Sequence, residues 1–133
     1  MTEPLFDTIA VIGLGLIGSS VVRGVKARGL ARRVVGYDSA TQVHNRAKEL
    51  GFCDSVANTP SEAVKDAELV LIAVPVGATA DAVKSIAPHL RQGAILTEVG
   101  SVKAAVIRQV LAVLPEGAIF VPARVSAGPK AAT

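Results

Sequence analysis

The chain has 133 residues, which is enough for one domain. Half of the residues (50%) are hydrophobic, which excludes a disordered chain. Because only 3% are aromatic, the core is expected to consist mainly of Val, Ala, Leu and Ile. The net charge of +3 comes from scattered basic residues, and their one cluster, between residues 23 and 33, has no interleaved aromatics, so we predict no nucleic-acid partner. Because Cys53 is the only cysteine, an internal disulfide and a cysteine-based metal cluster are excluded, and we predict no metal site.

The amino-terminal part of the chain bears on where the protein works. No basic segment precedes the first apolar run, so we predict no secretory signal. That run, residues 8–22, spans about 15 residues and contains glycines, whereas a membrane helix needs roughly 20 apolar residues. We therefore predict a cytoplasmic protein that makes no contact with a membrane.

Short apolar runs alternate with helix-like segments along the chain. The runs are continuous rather than alternating, which indicates strands that are buried on both faces, as in a parallel sheet. The predicted strands are residues 8–12, 33–37, 69–74, 94–99 and 118–121, with a further short strand near 53–56. The predicted helices lie near residues 15–28, 39–50, 60–66, 77–88 and 101–114. This order predicts an α/β fold with a doubly wound, mostly parallel sheet of about six strands.

The first predicted turn carries the glycine pattern G-x-G-x-x-G between an apolar strand and a helix. In this context Gly13 permits a tight turn, Gly15 lets a pyrophosphate approach the backbone, and Gly18 lets the helix pack close to the strand. The N-terminus of the helix offers free N–H groups to the anion. The alternative is a glycine turn that binds nothing. We predict a Rossmann-type dinucleotide-binding domain, with cofactor contacts from Gly13, Leu14, Gly15, Leu16, Ile17 and Gly18.

An acidic residue, Asp38, ends the second predicted strand. A carboxylate at this position accepts hydrogen bonds from both ribose hydroxyls of NAD and repels the 2′-phosphate of NADP. Ser39 follows, rather than the Arg that often binds that phosphate. Asp38 has a second candidate role as the N-cap of the next helix, and the two roles are compatible. We predict NAD as the cofactor, with NADP disfavoured, and assign Asp38 and Ser39 to the cofactor site.

The loop after the fourth predicted strand is the next candidate part of the site. Ligands of open parallel sheets lie outside the carboxyl ends of the strands, so we predict that Val74, Pro75 and Val76 line the cofactor cleft. Pro75 also has a purely structural role, since proline ends a strand. Thr79 is predicted either to contact the adenine side of the cofactor or to cap the following helix.

The fifth predicted strand leads into the sequence GSVK, residues 100–103. Together with VIGLGLIGSS, VVGYD and LVLIAVPV, this stretch resembles the nicotinamide-binding domain of the prephenate and arogenate dehydrogenases, from about residue 8 to residue 123. In that family an Asp precedes the V-G-S stretch, where this chain has Glu98.

The resemblance implies the NAD-binding domain of an oxidoreductase that carries out an oxidative decarboxylation in tyrosine biosynthesis, a branch of aromatic amino acid biosynthesis. It also implies that Ser101 is catalytic: the side chain lies beside the nicotinamide and hydrogen-bonds the ring hydroxyl of the small-molecule substrate, prephenate or arogenate. The alternative for Ser101 is an ordinary helix N-cap.

The end of the chain departs from the family's pattern. The family continues after its sixth strand with His-Pro, and that histidine is the catalytic base, whereas this chain has Arg124 and Val125. A guanidinium stays protonated at physiological pH and cannot act as a general base. His44 and His89 are predicted to be exposed residues rather than substitutes for it.

We therefore expect residues 1–123 to form the dinucleotide-binding domain and residues 124–133 to begin a substrate and dimerisation domain that is missing. On this interpretation the chain alone is inactive, and the full-length form is a homodimer. One alternative is a non-enzymatic NAD-binding module. The other is a fragment of a β-hydroxyacid dehydrogenase, because ARVSAGPKAA, residues 123–132, is similar to the A-P-V-S-G-G signature of those enzymes.

Overall fold

The structure, a computed structural model, describes residues 3–99, 102–122 and 125–126. The strands are β1 Phe6–Ile12, β2 Ala31–Tyr37, β3 Ser55–Val56, β4 Leu69–Ile72, β5 Ile95–Glu98, β6 Val102–Lys103, β7 Ile119–Phe120 and β8 Val125–Ser126. The helices are α1 Leu16–Ala27, α2 Thr41–Leu50, α3 Pro60–Val64, α4 Thr79–Ile86 and α5 Ala104–Val113, and 3₁₀ turns at Val76–Ala78 and Ala87–His89 flank α4.

Six strands form one parallel sheet in the order β3-β2-β1-β4-β5-β7. Strands β2 and β3 extend the sheet in one direction from β1, and β4, β5 and β7 extend it in the other. In the register of the sheet, Ile12 lies beside both Tyr37 and Ile72, so β1, β2 and β4 end at the same level. The predicted doubly wound, parallel α/β fold of about six strands is confirmed.

The core consists of two apolar layers, one on each face of the sheet. Successive residues of a strand point to opposite faces, so Ile9 and Val11 pack with α1 and α2, while Ala10 and Ile12 pack with α3, α4 and α5. Burial on both faces explains why the strands appear in the sequence as continuous apolar runs.

Several element boundaries differ from those predicted. The fourth strand ends at Ile72 rather than at residue 74, because Pro75 has no N–H to continue the ladder. Helix α5 begins at Ala104 rather than at residue 101, since Val102–Lys103 pairs with Val125–Ser126 in a separate two-stranded parallel sheet that the sequence did not predict.

Cys53 is a buried thiol, in agreement with a packing role. A Cβ on Gly36 would lie 2.7 Å from the Cys53 Sγ and 2.8 Å from Leu14 Cδ1, so the glycine in β2 makes room for both side chains. Burial raises the pKa of Cys53 to about 11, and the thiol therefore stays protonated at neutral pH.

The described part of the chain contains neither a helix that could span a membrane nor a group of side chains that could hold a metal ion. Within residues 3–99, 102–122 and 125–126, no helix is long and apolar enough to cross a membrane. The same residues contain no group of three or more His, Cys, Asp or Glu side chains arranged to hold a metal ion. Three predictions concern residues that the structure does not describe. They are the domain boundary at residue 123, the catalytic role of Ser101, and the tail of residues 124–133 apart from Val125 and Ser126.

Asp54 connects α1 with β2. Its Oδ2 accepts a hydrogen bond from the buried Val34 N–H at 2.7 Å, and its Oδ1 lies 3.0 Å from Lys26 Nζ. Partial burial raises the pKa of Asp54, but these two contacts outweigh it and lower the pKa below the ordinary value of 3.8. We expect Asp54→Ala to lower the free energy of unfolding by about 1–2 kcal/mol at neutral pH, because Val34 N–H loses its acceptor.

The pH dependence of this effect has a defined sign. The folded-state pKa of Asp54 is lowered, so the stability that the ionised carboxylate contributes is present above pH 3.8 and is lost as the pH falls through the folded-state value. Urea unfolding followed by circular dichroism should show the difference from wild type shrinking in acid. Asp66→Ala is the matched control, since the Asp66 side chain is exposed and its carboxylate makes no hydrogen bond with any described residue. An equal loss in both variants contradicts the assignment.

Candidate functional site

The candidate site lies where β1, β2 and β4 end. The chain leaves β1 to build one half of the sheet and returns at β4 to build the other, so the loops that follow these two strands diverge. Such a point of divergence opens a crevice at the carboxyl edge of a parallel sheet, and ligands of this fold class bind in it.

Two glycines are required by the shape of the first turn. Gly13 has φ +101, and a Cβ there would lie 2.7 Å from the Ala73 carbonyl oxygen. Its N–H donates to the Tyr37 carbonyl at 2.8 Å, which connects the turn to β2. A Cβ on Gly18 would overlap the carbonyl oxygen of Gly13. The first and third glycines of the pattern therefore let α1 start directly against β1.

The middle glycine, Gly15, faces open space. It has an extended backbone with φ −70, and a Cβ there would meet no atom within 4 Å. Gly15 is the N-cap of α1, where no side chain caps the helix and where the first turn carries no acidic residue. Free N–H groups next to an open surface suit an anion such as a pyrophosphate. The side chains of Leu16 and Ile17, which follow Gly15, are exposed.

Asp38 is held in place by the turn itself. Its Oδ2 accepts a hydrogen bond from Leu14 N–H at 2.8 Å, and its Oδ1 accepts one from Ala40 N–H at 2.8 Å. Helix α2 begins at Thr41 with Ala40 as its N-cap, so the alternative role of Asp38 as N-cap was wrong. Each carboxylate oxygen has further acceptor capacity, and Asp38 therefore remains able to accept from a ligand hydroxyl.

A cavity of about 300 Å³ lies beside Asp38. Four of the predicted site residues line it, namely Gly13, Asp38, Ser39 and Val74. The sequence did not indicate the opposite wall, which is formed by Ala78, the N-cap of α4, and by Asp81, Ala82 and Ser85 of the helix. The spacing of these residues along one helix face is visible in the sequence. The sequence does not show that this face of α4 lies opposite the end of β2.

The other predicted residues lie elsewhere. Leu14 is buried and lines, with Gly15 and Leu16, a second cavity of about 290 Å³ against α2. Pro75 is exposed, and Val76 begins a 3₁₀ turn. Thr79 is 2% exposed and is the first residue of α4, not its N-cap.

A cofactor contact by Thr79 stays a prediction, as does the role of Ser101, which is outside the described residues. His89 is exposed as predicted, while His44 is half-buried. Neither histidine lines the cavity beside Asp38.

The parallel sheet, the glycine turn and the carboxylate that ends β2 together define a dinucleotide-binding domain of the Rossmann type. The chain belongs to the prephenate dehydrogenase family: residues 21–132 match the family described as "Prephenate dehydrogenase, nucleotide-binding domain". The cyclohexadienyl dehydrogenase of Zymomonas mobilis is 41% identical over 124 residues, a match that covers 93% of this chain and 42% of that protein.

Solved structures share the fold. Synechocystis arogenate dehydrogenase superimposes with a TM-score of 0.71 at 27% identity, over 80% of this chain and 37% of that one. Aquifex aeolicus prephenate dehydrogenase in complex with hydroxyphenyl propionate and NAD+ superimposes with a TM-score of 0.73 at 20% identity, over 86% and 40%. The chain therefore spans less than half of the length of the relatives that it matches.

Proposed function

We propose that this chain binds NAD, in preference to NADP, as the cofactor-binding part of a dehydrogenase that oxidises and decarboxylates prephenate or arogenate. The observation that carries the proposal is the Asp38 carboxylate, held by Leu14 N–H at 2.8 Å beside a cavity of about 300 Å³. No Lys or Arg is among the described residues that line this cavity, so nothing there compensates the charge of a 2′-phosphate.

Asp38 and the cavity suit the adenosine end of the cofactor. The carboxylate oxygens accept hydrogen bonds from the ribose hydroxyls. In NADP a phosphate takes the place of the 2′-hydroxyl and brings a second negative charge next to the carboxylate. The apolar side chains of Val74, Ala78 and Ala82 offer a surface for a flat base. The pyrophosphate then lies over Gly15, where α1 presents its free N–H groups.

The nicotinamide end follows the loop of Val74, Pro75 and Val76 towards the carboxyl end of β5. When bound, NAD accepts the hydride that the substrate loses. The proposed role of Ser101 is to hydrogen-bond the ring hydroxyl of the substrate and hold it beside the nicotinamide; this role comes from the resemblance to the family. Arg124 stands where the family has its base, and a guanidinium cannot take up the hydroxyl proton.

We expect no turnover of prephenate or arogenate by this chain alone, because Arg124 at the position of the base cannot accept a proton. We expect the full-length form to be a homodimer, with the substrate contacts in the second domain. We assign the reaction to the cytoplasm, where NAD and the reduced Cys53 are both stable.

A fluorescence titration tests the proposal directly. The chain has no Trp, so the signal is the enhancement of the cofactor's own emission on binding. We expect saturable binding of NADH that is tighter than that of NADPH by at least about tenfold, or ~1.4 kcal/mol. Equal affinity for the two cofactors contradicts the role of Asp38. No binding of either by a chain that circular dichroism shows to be folded overturns the proposal.

A second candidate function is an NAD-binding module without catalysis, and Arg124 at the position of the base favours it. NADH binding with no turnover of either substrate, even after the substrate domain of a relative has been joined and Arg124→His introduced, supports the module. Recovered turnover in the joined protein supports the dehydrogenase. The fragment of a β-hydroxyacid dehydrogenase is disfavoured, since the match to the prephenate dehydrogenase family runs through residue 132.

A further inference from the structure

The cavity beside Asp38 has polar groups on two different elements. Asp38 and Ser39 enter it from the end of β2, and Asp81 and Ser85 enter it from α4. The pair on α4 has no part in the roles assigned above to the ribose and the pyrophosphate.

Both groups of this pair act only as acceptors. The Asp81 side chain is exposed and makes no hydrogen bond or ion pair with any described residue, and an ionised carboxylate accepts hydrogen bonds without donating any. The Ser85 hydroxyl donates its hydrogen to the Ala82 carbonyl at 2.7 Å, so only the lone pairs of Oγ are left for a ligand. A ligand edge that satisfies both must bring two donor hydrogens.

The bases that a dinucleotide can carry differ at this edge. The exocyclic N6 amino group of adenine has two hydrogens and can donate to two acceptors. A 6-oxopurine such as hypoxanthine presents one donor, N1–H, and one acceptor, the O6 oxygen. Because both protein groups are acceptors, one of them would face the lone pairs of O6 when a 6-oxopurine binds. Two acceptor atoms that face each other repel, and this repulsion lowers the affinity for the 6-oxopurine.

We propose that Asp81 and Ser85 on α4 select adenine over 6-oxopurine bases by accepting hydrogen bonds from the N6 amino group. This inference rests on the proposed function, because it assigns the cavity to the adenine end of the cofactor. Ala78, the N-cap of α4, and Ala82 on the same side of the helix contact the ring, while the acceptor pair selects the base.

The test compares NADH with reduced nicotinamide hypoxanthine dinucleotide, which differs from NADH only at the base edge. We expect the wild-type chain to bind NADH at least about tenfold more tightly, which corresponds to ~1.4 kcal/mol. In Asp81→Asn the amide can donate to O6, so the ratio of the two dissociation constants should fall to within about threefold of unity. Ser85→Ala should lower the ratio by a smaller amount.

A matched control separates recognition from helix stability, since an acidic residue in the first turn also stabilises α4. Asp66→Asn removes an exposed carboxylate that is outside the cavity and should leave the ratio unchanged. A purely structural Asp81 would change the melting temperature but not the ratio. If NADH binds and the wild-type ratio is near one, or if Asp81→Asn leaves it unchanged, the base-reading role is overturned while cofactor binding stands. If a folded wild-type chain binds neither dinucleotide, the proposed function itself fails.

Discussion

The Gly18→Ala chain is expected to lose about 3 kcal/mol or more in its free energy of unfolding, which is a large part of the 5–15 kcal/mol typical of a domain. The Cβ that this substitution adds would overlap the carbonyl oxygen of Gly13, and the oxygen and the Cα that carries the Cβ both belong to backbone that is fixed between β1 and α1. No flexible side chain can move aside, so α1 has to shift away from the sheet. Urea unfolding followed by circular dichroism measures the loss.

Gly15→Ala is the matched control within the same pattern. A Cβ at Gly15 meets no atom within 4 Å, and its φ of −70 is accessible to alanine, so the free energy of unfolding should stay within about 1 kcal/mol of wild type. NADH binding should nevertheless weaken by at least about tenfold, since the methyl group occupies the surface that the pyrophosphate approaches. A Gly15→Ala chain that binds NADH like wild type contradicts the assignment of the pyrophosphate to this surface.

Asp38→Ala is expected to weaken NADH binding by about ten- to a hundredfold and to remove the preference for NADH over NADPH. Two effects contribute. The 2′-hydroxyl, which only NADH has, loses a charged acceptor, and the repulsion of the 2′-phosphate disappears, which favours NADPH. Parallel titrations with the two cofactors give the ratio of dissociation constants, and an unchanged ratio would remove Asp38 from the ribose.

The hydrogen bonds of Asp38 to the backbone require a second variant. Without the carboxylate, Leu14 N–H and Ala40 N–H both lose their acceptor, so Asp38→Ala also loosens the turn and weakens both cofactors alike. Asp38→Asn keeps one acceptor oxygen while it removes the charge. We expect it to relax the NADH preference with a smaller loss of stability. If the two variants differ only in stability, charge decides the selectivity; if only Asp38→Ala changes the ratio, the shape of the turn decides it.

The sheet and the glycine turn were predictable because local sequence determines them. Continuous apolar runs report burial on both faces, and the spacing of Gly13, Gly15 and Gly18 reports the turn. The hydrogen bond from Leu14 N–H to Asp38 was not predictable, since it joins residues 24 positions apart through a geometry that exists only after β1 and β2 have paired. Besides the ribose, the sequence offered a helix cap as a second role for Asp38, whereas in the structure Ala40 is the N-cap and the Asp38 carboxylate holds the glycine turn.

The remaining differences also come from contacts between distant segments. The face of α4 that lines the cavity has a visible helical spacing, but nothing local indicates that it lies opposite the end of β2. Val102–Lys103 lies in a segment with helical periodicity, and its pairing with Val125–Ser126 overrides that preference. Ser101 is outside the described residues, and its catalytic role remains a prediction from the family resemblance.

The bond between Asp38 and Leu14 has a consequence for how a ligand associates. Because the carboxylate holds the glycine turn by contacts within the chain, the loop has already lost its conformational entropy during folding, and binding does not have to order it. Association should then proceed close to the rate of rigid docking, without a slow rearrangement. Differences in affinity among cofactors would consequently come from their dissociation rate constants rather than from their association rate constants.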